Sequence, residues 1–221
     1  MDRVVVGLDG SRPSLAAACW ATYVGEQTGW PVRAIWAWQY PATTILPFGS
    51  GDLPGPEEVE AGLGERAREL LDEALGERAE RISVEVHRGP AAAVMLHTVA
   101  ERTRMAVVGS RGLGGFEGLL LGSVSRQLVE HAPCPVTVLH GEPSQVHCGV
   151  ERIVVGVDGS PGAARAQAVA GELAQAVGAE LIVASALQSR DRVRSGHGGA
   201  ADGSVRRGGL EAAREHIHEL T

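Results

Sequence analysis

Lysine is absent from this chain of 221 residues, and all 20 basic side chains are arginine. A Walker A phosphate loop, which requires a lysine, is therefore excluded. Aromatic residues make up only 4% of the sequence, and the three cysteines, Cys19, Cys134 and Cys148, lie far apart. An odd, scattered set of cysteines does not form a disulfide framework and is typical of a reducing compartment.

Long apolar runs are also missing, since no stretch approaches the roughly 18 residues of a membrane span. The first predicted strand is entered by Val4, which leaves no room for a signal peptide. A formal net charge of −7 argues against general affinity for nucleic acid. We therefore expect a cytoplasmic protein that binds neither nucleic acid nor membranes.

What the sequence does contain is a regular alternation of strand-like and helix-like segments over its first 140 residues. The predicted strands begin at Arg3 and cover residues 32–38, 82–86, 105–108 and 136–139. The predicted helices run from a cap at Ser11 to Gly29, and over residues 57–81, 90–102 and 123–131. This alternation predicts an α/β fold, an open parallel five-stranded sheet with helices on both faces.

The start of the chain is repeated later in the sequence. Arg152 to Ser160 copies Arg3 to Ser11 at an offset of 149 residues (152 − 3), and the register holds to Ala37 and Ala186. The repetition indicates an internal duplication. No third, fourth or fifth strand follows in the second copy, and residues 189–209, rich in arginine, glycine and serine, are predicted to be disordered. We expect a domain at 1–140, a linker at 141–150 and a truncated second repeat at 151–221.

A loop with six glycines separates the predicted fourth strand from the helix at 123–131. Glycine permits positive φ and close approach of a ligand, so the backbone N–H groups of such a loop can converge on an anion. Ser123 is placed to be the N-cap of the helix, where free donors and the helix dipole attract phosphate. We interpret the segment as a phosphate-binding loop. The alternative interpretation is a plain connection between strand and helix.

The spacing Gly109-x2-Gly112-x9-Gly122-Ser123 resembles the nucleotide signature of the universal stress protein family, in its ATP-binding branch. The duplication is similar to the tandem members of that family, with an incomplete second repeat. The resemblance covers residues 1–140 and the fragment 151–187. It implies a Rossmann-like sheet in which the first and fourth strands are neighbours, so that Asp9 and Gly109 share one crevice.

The resemblance also implies a ligand, ATP, accompanied by Mg²⁺ in that crevice. Asp9 looks like the contact to the adenosine part, and the backbone of Ala37 like the contact to the edge of adenine. The residues that look like the phosphate cradle are Gly109, Gly112, Gly122, Ser123, Val124 and Ser125. Arg111 either pairs with a phosphate, which suits a guanidinium, or points to solvent. Asp9 has an ordinary alternative role as a turn residue ahead of a helix cap.

These residues indicate an ATP-binding regulatory protein of the stress response rather than a dedicated enzyme. Phosphoryl transfer usually requires a charge clamp of Lys, Arg or metal carboxylates, whereas Asp9 and Glu117 are the only acids expected near the loop. A slow ATPase and a nucleotide-free scaffold stay open as alternatives, and no catalytic or metal-binding residue is assigned. The resemblance further implies a homodimer through the strand Val136–Leu139, whose edge lacks a mate in the truncated repeat.

Overall fold

The computed structural model describes residues 3–40, 54–100, 102–113, 121–140 and 149–185. The chain divides into two compact units, residues 1–150 and 151–221. Residues 141–148 of the linker predicted at 141–150 and the segment 189–209, predicted to be disordered, lie outside the described residues.

Strands and helices alternate along the described part of the first unit. The strands are β1 (Arg3–Leu8), β2 (Val32–Trp38), β3 (Ile82–Arg88), β4 (Thr103–Gly109) and β5 (Val136–Leu139). The helices are α1 (Arg12–Thr28), α2 (Pro56–Leu75), α3 (Ala91–Val99) and α4 (Ser123–His131), and a 3₁₀ helix (Gly76–Arg81) follows α2. Within the described ranges, no helix is both long enough and apolar enough to cross a bilayer.

All five strands form one parallel sheet in the order β3-β2-β1-β4-β5. The predicted open parallel α/β sheet is confirmed, and β1 and β4 are indeed neighbours. The winding direction reverses between these two strands. In sheets of this kind, ligands bind beyond the carboxyl ends of the strands at that reversal.

Helices cover both faces of the sheet. On one face, Val5 and Ile35 are buried with Met95 and Val99 of α3 and Leu128 of α4. Because side chains alternate along a strand, the neighbouring Val4 and Val6 point to the other face, which α1 covers. The two helical layers therefore leave the ends of the strands uncovered.

Two helices end earlier than the sequence predicts. Helix α2 ends at Leu75. Its C-cap, Gly76, has a φ of 57° and donates its N–H to the Asp72 carbonyl, and the chain continues from there as a 3₁₀ helix. Helix α3 ends at Val99 rather than residue 102. Arg102 adopts a φ of 42°, and its carbonyl accepts the N–H of Arg3 at 3.3 Å. This contact ties the turn before β4 to the start of β1.

The second unit reproduces the first strand, helix and strand of the first unit. Its elements are β6 (Arg152–Gly156), α5 (Pro161–Val177) and β7 (Glu180–Ala184), with β6 and β7 parallel. The Ser160 hydroxyl accepts an N–H at the start of α5, as the Ser11 hydroxyl does in α1. The helices end at equivalent left-handed glycines, Gly178 and Gly29. The local chemistry of the duplicated sequence therefore yields duplicated structure.

The described part of the second unit buries less apolar surface than its counterpart. Val154 is 64% exposed, whereas Val5, at the equivalent position (154 − 149), is fully buried. In the first unit this face of the sheet is covered by α3 and α4. The described residues of the second unit, 151–185, include α5 only, which covers the opposite face.

Candidate functional site

Asp9 and the glycine loop meet at the reversal point of the sheet. Asp9 follows β1 directly, and the loop begins where the neighbouring β4 ends at Gly109. Asp9 Oδ1 accepts the N–H of Ser11 at 3.0 Å, and Oδ2 accepts the N–H of Leu113 at 3.1 Å. The second hydrogen bond joins residues 104 positions apart. One carboxylate therefore fixes both its own turn and the first part of the loop.

Gly112 lies against the same carboxylate. A Cβ added at Gly112 would overlap Asp9 Oδ2. Any other residue at this position would separate the loop from Asp9, or force the Asp9 side chain to turn away. The absence of a side chain at Gly112 thus has a cause within the protein's own packing, in addition to the phosphate contact that the resemblance implies.

The absence of a side chain at Gly109 is also explained by packing. A Cβ at this position would lie 2.6 Å from the carbonyl carbon of Pro13 and 2.8 Å from its carbonyl oxygen. Pro13 belongs to the first turn of α1, so the end of β4 approaches the backbone of that helix too closely for any side chain. This contact holds the start of the glycine loop beside the start of α1.

The N-cap of helix α4 lies one residue earlier than predicted. Its N-cap is Gly122, with a φ of −72° and a ψ of 169°, and Ser123 is the first helical residue, so the prediction of Ser123 as N-cap is wrong. The cause is a hydrogen bond in which the N–H of Gly122 donates to the Ser110 carbonyl at 2.7 Å. As a result, no side chain caps the start of α4, and no acidic residue lies in its first turn.

Ser125 and Val124 direct their side chains into the protein. The Ser125 hydroxyl, only 3% exposed as a residue, donates to the Gly109 carbonyl at 2.7 Å. Val124 packs against the core between the sheet and α3. Both residues can therefore offer a ligand their backbone N–H groups, at the uncapped start of α4, but not their side chains.

The two remaining predicted residues lie at the edge of the same crevice. The last pair between β1 and β2 joins Leu8 to Trp36. Ala37 and Asp9 each follow by one residue, so Ala37 lies at the level of Asp9 along the sheet. Arg111 is exposed, and the structure shows no ion pair between its side chain and another described residue. The fold thus gathers all nine predicted positions around one end of β1 and β4. Residues 114–120 of the loop lie outside the described residues.

Ser110 is a structural residue of this site that the sequence analysis does not single out. It is 2% exposed, donates its N–H to the Leu139 carbonyl at 2.7 Å and accepts the N–H of Gly122. It therefore connects the end of β5 to the start of α4. Its place in the run Gly-Ser-Arg-Gly is the only signal for it, because both partners are distant in sequence.

An aromatic cluster lies at the end of β2, on the α2 side of the sheet. The Trp38 and Tyr40 rings pack edge to face with centroids 5.0 Å apart, and the Arg88 guanidinium lies over both. Trp38 Nε1 donates to Glu60 Oε1 at 3.2 Å, and the Tyr40 hydroxyl donates to the Pro54 carbonyl at 2.7 Å. These contacts join β2 to the start of α2, so the cluster has a packing role.

The second unit carries half of the Asp9 arrangement. Asp158 Oδ1 accepts the N–H of Ser160 at 2.9 Å, and hydrogen bonds from Ser160 lower the pKa of the Asp158 carboxyl. Among the described residues of that unit, no glycine loop reaches Asp158. Within the described parts of the two units, the contact between carboxylate and loop is therefore seen in the first.

Known proteins are similar to this chain in sequence and in fold. The model of the universal stress protein family matches residues 1–140 and 149–220. A universal stress protein of Mycobacterium tuberculosis strain H37Rv is 34% identical over 190 residues, which are 83% of this chain and 63% of that protein. A second from the same strain is 33% identical over 196 residues, 85% of this chain and 64% of that protein. The chain thus spans less than two thirds of the length of these relatives.

Solved structures show the same fold. A universal stress protein from Archaeoglobus fulgidus DSM 4304 superposes with a TM-score of 0.62 at 20% identity, covering 99% of this chain and 74% of its own. Universal stress protein UspA from Lactobacillus plantarum gives a TM-score of 0.50 at 17% identity, covering 63% of this chain and 97% of its own. At these identities the superpositions support the fold alone.

Proposed function

This chain belongs to the universal stress protein family, and on that premise we propose that its first unit binds ATP, together with Mg²⁺, between Asp9 and the start of α4. In this proposal the protein is a cytoplasmic regulator of the stress response that holds the nucleotide rather than turning it over. Asp9 contacts the adenosine part, and the backbone of Ala37 contacts the edge of adenine.

The observation that carries the proposal is the hydrogen bond from the Leu113 N–H to Asp9 Oδ2, 3.1 Å long. It brings the family's glycine signature to the carboxyl ends of β1 and β4, where open α/β sheets bind their ligands. Glycine spacing alone is compatible with a plain connecting loop. A loop held against the turn after the neighbouring strand has the placement that a nucleotide site requires.

The start of α4 supplies the means to hold phosphate. The helix begins with Ser123, Val124 and Ser125, and no side chain caps the backbone N–H groups of these residues. A helix N-terminus carries roughly half a positive charge from the helix dipole, and such free donors bind phosphate oxygens directly. At α1, by contrast, the Ser11 hydroxyl accepts the N–H of Ser14. The exposed Arg111 adds a guanidinium close to this point.

Mg²⁺ in this proposal arrives with the nucleotide. Among the described residues, no group of three or more His, Cys, Asp or Glu side chains is arranged to hold a metal ion. Mg²⁺ commonly keeps several waters and is bound through substrate phosphates with one or two carboxylates. Asp9 is the acidic side chain that the structure places at the crevice.

Isothermal titration calorimetry with MgATP tests the proposal on the whole chain. We expect one nucleotide per chain, because the glycine signature occurs once in the sequence. Mass spectrometry of small molecules released from the purified protein will detect nucleotide that is already bound and would mask the heat of titration. Folded protein that carries no nucleotide and shows no binding heat would refute the proposal.

ATP hydrolysis is expected to be slow, well below the ~10 s⁻¹ median of dedicated enzymes. The chain has no lysine for the γ-phosphate, and both oxygens of Asp9 already accept backbone N–H groups. Phosphate release is measured for the wild type and for Gly122→Val, so that a rate shared by both is assigned to a contaminating ATPase. A wild-type rate at the median, absent from the variant, would establish the ATPase alternative.

We also propose that two copies of the chain pair through β5. This strand is the last in the sheet, so its outer edge has no partner strand among the described residues. The Pro135 and Leu139 carbonyls accept N–H groups from Ala106 and Ser110 beside β4. By alternation along the strand, the backbone groups of Val136 and Val138 face outward. An unpaired strand edge of this kind is a template for association.

A proline at Val138 is expected to convert a dimer to monomers, because it removes an outward N–H without removing a hydrogen bond to β4. A charge at Val138 is a poorer test, since its side chain packs against the core. Val86→Pro is the matched control at the other edge of the sheet. At that edge the N–H of Gly89 faces β2, because it donates to the Trp38 carbonyl. Val86 lies three positions earlier, and the direction of the backbone groups alternates along the strand, so its N–H faces outward.

Light scattering gives the masses of the wild type and the two variants. A dimeric wild type and Val86→Pro with a monomeric Val138→Pro would support pairing through β5. A monomeric wild type at the concentrations used for calorimetry, or a dimer lost only with Val86→Pro, would contradict it.

A further inference from the structure

We propose that the first unit has a second anion-binding site, a pocket of about 160 Å³ lined by Arg3, Pro31, Val32, Arg33 and Ser83. Its ligand is a small oxyanion, either a phosphate group or a carboxylate. The pocket lies at the N-terminal ends of the strands, away from the crevice at Asp9.

Three neighbouring strands build the pocket. Arg3 is the first residue of β1, and Arg33 and Ser83 are the second residues of β2 and β3. The strands pair in parallel with Val5 beside Arg33 and Arg33 beside Ser83, which brings all three side chains to one end of the sheet. A strand of the length of β1 spans roughly 20 Å at about 3.3 Å per residue. The pocket is therefore separate from the proposed nucleotide site.

Arginine gives the pocket its chemistry. Both Arg3 and Arg33 are half-buried, so their charges are less screened than those of extended surface side chains. Arg33 Nη1 lies 3.0 Å from Glu85 Oε1, but a guanidinium has five N–H donors in a planar fork. Glu85 also contacts a second side chain besides Arg33, because its Oε2 lies 3.1 Å from His87 Nε2. The Ser83 hydroxyl, which donates to the Val32 carbonyl at 3.3 Å, is a further donor at the wall.

A further arginine lies near the pocket. The Arg104 guanidinium lies 5.5 Å from the centre of the Trp30 ring, next to the lining residue Pro31. The acidic Glu26, at the end of α1, is paired with Arg78 at 2.9 Å. Within the described residues, Glu85 is the acidic side chain that contacts Arg33.

The size of the pocket limits the ligand. A water molecule occupies about 30 Å³ in the liquid, so about 160 Å³ corresponds to roughly five waters. That space fits one tetrahedral oxyanion or one carboxylate with a few attached atoms. Half-buried arginines bind both groups through paired N–H donors.

Nuclear magnetic resonance with inorganic phosphate as the probe tests this site. The full chain, tagged at its C-terminus to keep the pocket clear, is titrated at constant ionic strength with chloride as the balancing anion. We expect saturable shifts of the backbone amides of Arg33 and Ser83 and of the Arg3 and Arg33 side-chain Nε–H groups. A parallel titration with acetate distinguishes a carboxylate ligand from a phosphate.

Two variants change the affinity in opposite directions. Arg33→Gln is expected to weaken phosphate binding about tenfold or more, because it removes the charged fork. Glu85→Gln is expected to strengthen binding, because it removes the carboxylate that competes for Arg33. Arg66→Gln is the matched control, since Arg66 is an exposed arginine whose partner, Glu69, is on the same helix. Glu85→Gln keeps the test decisive if Arg33→Gln folds poorly.

Three results would overturn the proposal. Chloride could shift the same signals as strongly as phosphate does at equal ionic strength. Phosphate could act only on the amides of Gly109 to Leu113, at the other end of the sheet. The affinity could also be the same in the wild type, Arg33→Gln and Glu85→Gln, which would show that Arg33 does not hold the anion.

Discussion

Gly122→Val is expected to abolish ATP binding while the first unit stays folded. Gly122 has extended backbone angles that valine adopts readily, and an added Cβ would make only ordinary contacts of 3.5 Å with the Arg111 Cα and the Ser110 carbonyl. The branched side chain would nevertheless stand at the start of α4, in front of the donors at Ser123 and Val124. Losing two hydrogen bonds to a charged phosphate, each worth about 1.5–3 kcal/mol, weakens binding by a factor of about 100 or more.

Calorimetry with MgATP measures this loss, and thermal unfolding checks the fold. Gly62→Val is the matched control, because Gly62 lies on the exposed side of α2 and a Cβ there meets nothing within 4 Å. It should bind ATP like the wild type. If Gly122→Val is folded and binds MgATP with unchanged affinity, the start of α4 does not hold the phosphates.

Gly109→Ala is expected to destabilise the first unit strongly. Gly109 belongs to the same glycine signature as Gly122, but its substitution is expected to affect folding. The single Cβ would lie 2.6 Å from the Pro13 carbonyl carbon, within the backbone of the first turn of α1. Backbone cannot turn aside as a side chain can, so we expect a cost at the upper end of the usual range for overpacking, about 3 kcal/mol. The expected fall in the unfolding midpoint is of the order of 10 °C.

Urea unfolding followed by tryptophan fluorescence measures the stability of the first unit selectively, because all four tryptophans lie within its first 38 residues. Gly7→Ala is the matched control in the adjacent strand. There a Cβ would meet side chains, with Val108 Cγ1 at 3.2 Å and Met95 Cε at 3.4 Å, which can adjust. Equal free energies of unfolding for Gly109→Ala and Gly7→Ala would show that the contact with Pro13 imposes no strain.

The pair Gly109 and Gly122 illustrates what could be predicted about the site. The spacing of the glycines marks the loop whose first residues the fold places at the reversal between β1 and β4. It does not distinguish a glycine required by helix packing from one that leaves space in front of a helix start. That distinction depends on Pro13, which lies 96 positions before Gly109 (109 − 13) and carries no signal of its own.

The predicted N-cap of α4 is wrong for a related reason. Ser123 is the residue type that favours capping, and local sequence alone selects it. In the folded chain the Ser110 carbonyl accepts the Gly122 N–H, and the Ser125 hydroxyl donates to the Gly109 carbonyl. These contacts span 12 and 16 positions and set where the helix starts, so a rule based on neighbouring residues misplaces the cap by one.

The sequence by itself determined the elements whose signals are local. Helix α1 starts after Ser11 and ends at Gly29, α5 repeats both features, and β5 covers Val136–Leu139 as predicted. Capping and alternation depend on residues within about four positions of one another, so the same local sequence produced the same local structure twice. The strand and helix alternation also determined the fold class.

The resemblance implied that β1 and β4 are neighbours, but only the tertiary structure decided which contacts join them in one site. The sheet order sets β1 beside β4, and the Asp9 carboxylate then reaches Leu113 across 104 positions. The same order gathers Arg3, Arg33 and Ser83 at the opposite end of the sheet. Such contacts form when distant segments pack against a common core, and their geometry depends on the positions of both partners. No local stretch of sequence contains that information.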